Sequence, residues 1–184
     1  MNASPSWPLL SMDTSFLILN GLGYGVLLSL VLTAVMLLSI VISPDMWVGD
    51  YPPDIREKYG PMSERGRRYR PLVAVLFFGA MIVVMVLAFK ALIANSPSAP
   101  GFLEYFITGF LVLMVFNAYD LLVLDWLLFM TIQPKAIVLP GTEGMAGYKN
   151  FRFHARGFLI GIGFSGIGAA ILSAAAFGLQ AGFG

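Results

Sequence analysis

The sequence predicts an all-α integral membrane protein: a four-transmembrane-helix up-down bundle with both termini on the outer side. Three observations predict it. Four apolar stretches, 16–42, 72–94, 102–132 and 158–179, are each long enough to cross a bilayer as a helix, which takes about 20 residues. Of the eleven Lys and Arg residues, six fall between the first and second stretches and four between the third and fourth, leaving only Lys90 elsewhere. Positive charge collects on the cytoplasmic side, which makes 43–71 and 133–157 the cytoplasmic loops. Finally, the 184-residue chain is 58% hydrophobic and only 11% charged, a composition that aggregates unless lipid covers it. The whole chain, 1–184, reads as one membrane domain of a bacterial-type plasma membrane.

The first stretch carries Gly21, Gly23 and Gly25 near its outer end and stops at Ser43-Pro44. Residues 1–15 contain no Lys or Arg, so they lack the basic region of a cleavable signal peptide, and the first helix is expected to be retained. In 43–71, Pro52, Pro53, Gly60, Pro61 and Gly66 leave room for no more than a short helix from Pro53 to Tyr59. Trp47 and Tyr51 read as interfacial anchors. Arg65, Arg67, Arg68 and Arg70 crowd the approach to the second helix, facing anionic lipid headgroups at about 1 kcal/mol each.

A short turn with Pro97 and Pro100 makes the second and third helices antiparallel neighbours, and Lys90 and Glu104 flank it within snorkelling reach of one another. The third stretch would be about 46 Å long if α-helical throughout, against roughly 30 Å of hydrocarbon, so it must tilt or project. Pro134 ends it. The loop that follows holds a turn at 140–144 and a basic, aromatic run at 148–156, which suits a surface-lying or re-entrant segment. The spacing of a phosphate-binding loop is absent.

Composition excludes several chemistries. Without cysteine there are no disulfides, thiolate nucleophiles or Cys-ligated metals, and one His cannot build a bis-His haem or a multi-histidine di-iron site. The cations report topology, so no nucleic-acid partner is implied. No catalytic, cofactor-binding or metal-ligating set is legible, and nothing marks the chain as an enzyme. Asp45, Asp50 and Asp54 cannot share a helix face across Pro52 and Pro53, which argues against a metal site there.

The candidate functional polar residues are Asn117, Asp120, Asp125, Arg152, His154 and Arg156. A carboxylate deep in a membrane helix is costly and marks a function by default. Asp120 sits in the third stretch with no cation at its depth, so a hydrogen bond from Asn117, Ser29 or Ser165 is expected to hold it. Asp125, beside Trp126, reads as interfacial and neutralised by Arg152 or Arg156. On an α-helix Asp120 and Asp125 point about 140° apart, which speaks against a dyad. His154 reads as a hydrogen-bonded interface residue.

The fourth stretch repeats small residues every four positions: Gly157, Gly161, Ser165, Ala169 and Ser173 form one row, and Gly166, Ala170, Ala174, Gly178 and Gly182 a second. Such rows let helices approach closely. The leading functional expectation is a non-catalytic subunit or assembly factor packing through this helix, in a homo- or hetero-oligomer and in contact with anionic lipid. Two alternatives stand beside it: a small oligomeric proton- or cation-coupled transporter or channel using Asp120, and a cytoplasmic-face lipid-modifying enzyme using Asp125 and His154.

Overall fold

The computed structural model describes residues 12–183, without the side chain of Phe183, and every regular element among them is helical. The expectation that no leader is cleaved concerns residues that lie largely outside this range. Helix α1 spans Thr14–Ile42, with the Asp13 carboxylate accepting from the Ser15 N–H at its start. A 3-10 segment, Pro44–Asp50, and the short α2, Pro53–Tyr59, lead to α3, Glu64–Asn95. Helix α4 runs from Phe102 to Tyr119 and continues without a break as a π-helix over Asp120–Ile132. Two 3-10 turns, Lys135–Ile137 and Ala146–Lys149, precede α5, Phe151–Phe183. Helices α1, α3, α4 with its π extension, and α5 are each long and apolar enough to cross a membrane. Their outward residues are apolar as well, Val41 being 80% and Phe164 70% exposed.

Two helices begin earlier than hydropathy suggests. Ser63 accepts from the Gly66 N–H and starts α3 at Glu64, so the arginines expected in a loop form its first turns. Asn150 caps Phe153 in the same way, placing Arg152, His154 and Arg156 on α5 itself. Hydropathy reports where lipid starts, whereas caps report where the helix starts.

Helix α4 packs between α1 and α5, and α3 packs mainly on α1. Lipid is as apolar as leucine, so these contacts depend on close approach rather than on removal from water. Gly21 and Gly25 provide it: a Cβ there would lie 2.6 Å from Leu111 Cβ and 2.5 Å from Val115 Cβ. Around this seam Leu17, Leu28, Met85, Leu92, Tyr105 and Val112 are buried. On α5 the first small row faces the protein's own bundle, with Ser165, Ala169 and Ser173 buried and Gly161 against the Asn117 amide, though Gly157 meets open space. The second row is open at Gly166, Gly178 and Gly182.

At the end of the bundle carrying the 96–101 turn, Glu104 accepts the N–H groups of Met12 and Gly101, and Tyr105 donates to Gln180, which donates to Pro100 O. Glu104 is thus a buried capping carboxylate rather than a snorkelling one. At the other end, the loop end, the two long connections fold onto each other. Val48, Tyr51, Ile55, Leu139 and Tyr148 form a second apolar core there. Tyr51, expected at the lipid interface, is buried in it and donates to Ile137 O at 2.7 Å.

Candidate functional site

Between α1, α4 and α5 at the loop end lies a cavity of about 700 Å³. Its apolar wall includes Leu32, Met36, Ile40, Phe77, Phe116 and Leu124, and its polar groups include Asn117, Asp120, Asp125, His154, Arg156 and Asp50. Five of the six sequence candidates therefore converge on one space, and the sixth, Arg152, lines a neighbouring pocket of about 580 Å³.

The π-helix brings the two membrane aspartates together. Hydrogen bonds running from i to i+5 set residues five apart one above the other, so Asp120 and Asp125 share a side instead of diverging by about 140°. The closing bond of this register, Gln133 N–H to Leu128 O, is 2.9 Å long, and Gln133 leaves the helix with a left-handed φ of 46°. Both carboxylates line the cavity.

Asp125 is partnered by His154 and not by Arg152 or Arg156. The His154 Nδ1 lies 2.9 Å from Asp125 Oδ1, with the imidazole 6% and the carboxylate 25% exposed. The rings of Phe129 and Phe153 flank the imidazole at 5.2 and 5.3 Å. Its other nitrogen, Nε2, is buried with no hydrogen-bond partner among the described residues. A neutral imidazole donating through Nδ1–H keeps a lone pair on Nε2, so the carboxylate fixes the tautomer that leaves a base free.

Asp120 differs from expectation as well. Asn117 donates to Phe158 O at 3.1 Å and Ser29 to Gly25 O at 2.8 Å. No described residue gives the half-buried Asp120 carboxyl a hydrogen bond; Asp125, His154 and Asp50 act on it only through their charges. These acids and the His do not form, among the described residues, a group that could hold a metal ion.

The floor is clamped by loop carboxylates. Asp45 accepts from the hydroxyls of Ser43 and Ser63 and from the Ser63 N–H, tying the end of α1 to the start of α3. Burial opposes its charge, but these bonds and one from Tyr59 outweigh it and hold the carboxyl below its ordinary value. Asp54 accepts from the Gly147 N–H at 2.9 Å, joining α2 to the second loop. Asp50 is exposed at the mouth, where the protein packed around it and then the charge of Asp125 push its carboxyl up against the pull of Arg70 and Arg56.

Two features escaped the sequence reading. Gly21 and Gly25 form a G-x-x-x-G pair, a legible signal for close helix packing. Asp50 as part of the cavity had no signal, because its role depends on how the 3-10 segment folds under the bundle. Comparison with known proteins gives no match: no family model, no curated protein and no solved structure aligns with the chain. Four helices long and apolar enough to span a membrane, with a cavity holding three acids at one end, suggest an integral membrane protein.

Proposed function

We propose that the chain is a membrane-embedded enzyme acting on the polar head of an amphipathic substrate, with His154 as general base and Asp125 as the carboxylate that orients it. The observation that carries this reading is the unpartnered Nε2 of His154, a residue held by Asp125 that lines a cavity of mixed apolar and polar residues. In the step we envisage, Nε2 takes a proton from water as its oxygen attacks an ester of the substrate. Asp125 supports the imidazolium, and the proton returns to the leaving oxygen. In this reading the cavity serves the cytoplasmic side of an up-down bundle with outer termini in a bacterial-type plasma membrane, a sidedness supported by the basic residues at the loop end. Accessible cysteines would check that topology: Ser98→Cys should label from outside and Ser63→Cys should not.

Incubating the reconstituted protein with a total membrane lipid extract and following the lipids by mass spectrometry tests the activity. One lipid class should be consumed, and His154→Ala should slow this by at least about 100-fold. A lipid profile that the wild type leaves unchanged over hours overturns the proposal.

Two observations keep the other readings open as proposals. The Asp120 carboxyl, facing the cavity without a hydrogen bond, suits proton-coupled transport; Asp120→Asn abolishing flux in proteoliposomes while lipids stay intact would favour it. The open second row on α5 suits association with a second copy or another subunit, the assembly role; a change of mass in mild detergent on Gly166→Leu would favour that.

A further inference from the structure

The larger cavity and the neighbouring pocket share Pro53, Phe153 and Arg156, so they adjoin as two lobes, a larger and a smaller. Their balance of charge differs, with Arg156 common to both. The smaller lobe carries Arg152, Arg156 and Asn150, with no acid among its lining residues. The larger carries Asp50, Asp120 and Asp125. Of these, Asp125 is paired with the Nδ1 of His154, while neither Asp50 nor Asp120 accepts a hydrogen bond from a described residue. Arg56 and Arg70 act on Asp50 from outside the cavity, and only His154 acts on Asp120 with the opposite sign. The rings of Trp47, Phe77, Phe116 and Phe158 also line this lobe, and ring faces attract a desolvated ammonium. His154, whose Nε2 is buried and without a partner among the described residues, lines this lobe too. Beside the lobes, Leu159 and Ile160 are 64% and 60% exposed, an apolar surface along which acyl chains can remain in the bilayer.

We propose that the two lobes together receive one zwitterionic phospholipid, with its phosphate at Arg152 and Arg156 and its ammonium group between Asp50 and Asp120 under the aromatic rings. Guanidinium forks suit phosphate, and a head lacking the ammonium would bring no cation to Asp50 and Asp120. The assignment deepens the enzymatic reading, on which it rests for the view that this lipid is a substrate.

Native mass spectrometry of the full-length protein from nanodiscs holding equal phosphatidylethanolamine and phosphatidylglycerol tests it. The wild type should retain phosphatidylethanolamine over phosphatidylglycerol by about tenfold. Replacing both exposed arginines, Arg152→Gln with Arg156→Gln, should abolish retention of either lipid. Asp50→Asn with Asp120→Asn, isosteric changes, should keep a bound lipid but erase the preference. Equal or reversed preference in the wild type overturns the proposal, as does a preference that survives the paired aspartate changes. Retention is read as bound lipid and does not depend on turnover. A wild type that prefers phosphatidylethanolamine yet consumes no lipid therefore sinks the enzymatic reading alone, whereas turnover of a lipid without the preference sinks this one alone.

Discussion

Toward the turn end, Gly21 and Gly25 press α1 against Leu111 and Val115 of α4 with no room for a methyl group, whereas at the loop end the same two helices part around about 700 Å³. In the first region close contact between apolar side chains is what joins α1 to α4, because lipid offers apolar groups an equal environment. In the second, the helices give up contact, α4 changes hydrogen-bond register at Asp120, and unpaired polar groups face the space between them. The loop core beneath, around Tyr51, Leu139 and Tyr148, takes over the job of holding the helix ends in place. The comparison teaches that stability and chemistry have been separated along a single helix pair. Groups that cost stability cluster where packing is loosest, as expected for a functional site.

The largest test of that division is Gly25→Leu. A side chain in a seam with backbone and Val115 at contact should cost at least about 3 kcal/mol and lower the midpoint of thermal unfolding in detergent, while Gly23→Leu, with open space around it, should leave the midpoint unchanged. Equal effects at the two positions would break the picture of a tight seam.

Next in size is Asp45→Asn, which strips acceptors from Ser43 and Ser63 and should cost roughly 2 kcal/mol. Because the folded carboxyl is held below the ordinary value of 3.8, the stabilisation is fully present above that pH and is lost as pH falls through the folded value. Unfolding midpoints of wild type and variant should therefore run parallel at neutral pH and converge in acid. A gap that widens in acid would contradict the clamp.

Smaller still is Asp120→Leu. Since no described residue donates to this carboxyl, replacing it should change stability by less than about 1 kcal/mol, though it should alter lipid retention. A large loss in the thermal midpoint would show that the loop end is as tightly built as the turn end. The smallest effect is expected for Ile171→Leu on the outward face of α5, where the side chain is 63% exposed; within about 0.5 kcal/mol the midpoint should not move.

Some of this was readable from residue types alone. Apolar length marks all four spans, Pro52 and Pro53 confine α2 to Pro53–Tyr59, and the carboxylates of α4 stand out against their neighbours. The caps at Ser63 and Asn150 were legible but were masked by the stronger hydropathy signal, and Gly21 and Gly25 carry a packing motif in plain view.

The sequence by itself determined where lipid-compatible helices lie and which few polar residues are placed at a cost, since transfer free energy depends on composition and length. Tertiary structure decided the rest. The register change at Asp120 alters which backbone groups bond without altering composition, and it alone turns Asp120 and Asp125 to one side. The Asp125–His154 pair joins residues on two helices across a folded loop, at a distance set by how Gln133–Asn150 packs on the first connection. Whether a row of small residues meets its own bundle or open space likewise depends on helix rotation, which the pattern of residues along one helix leaves unspecified.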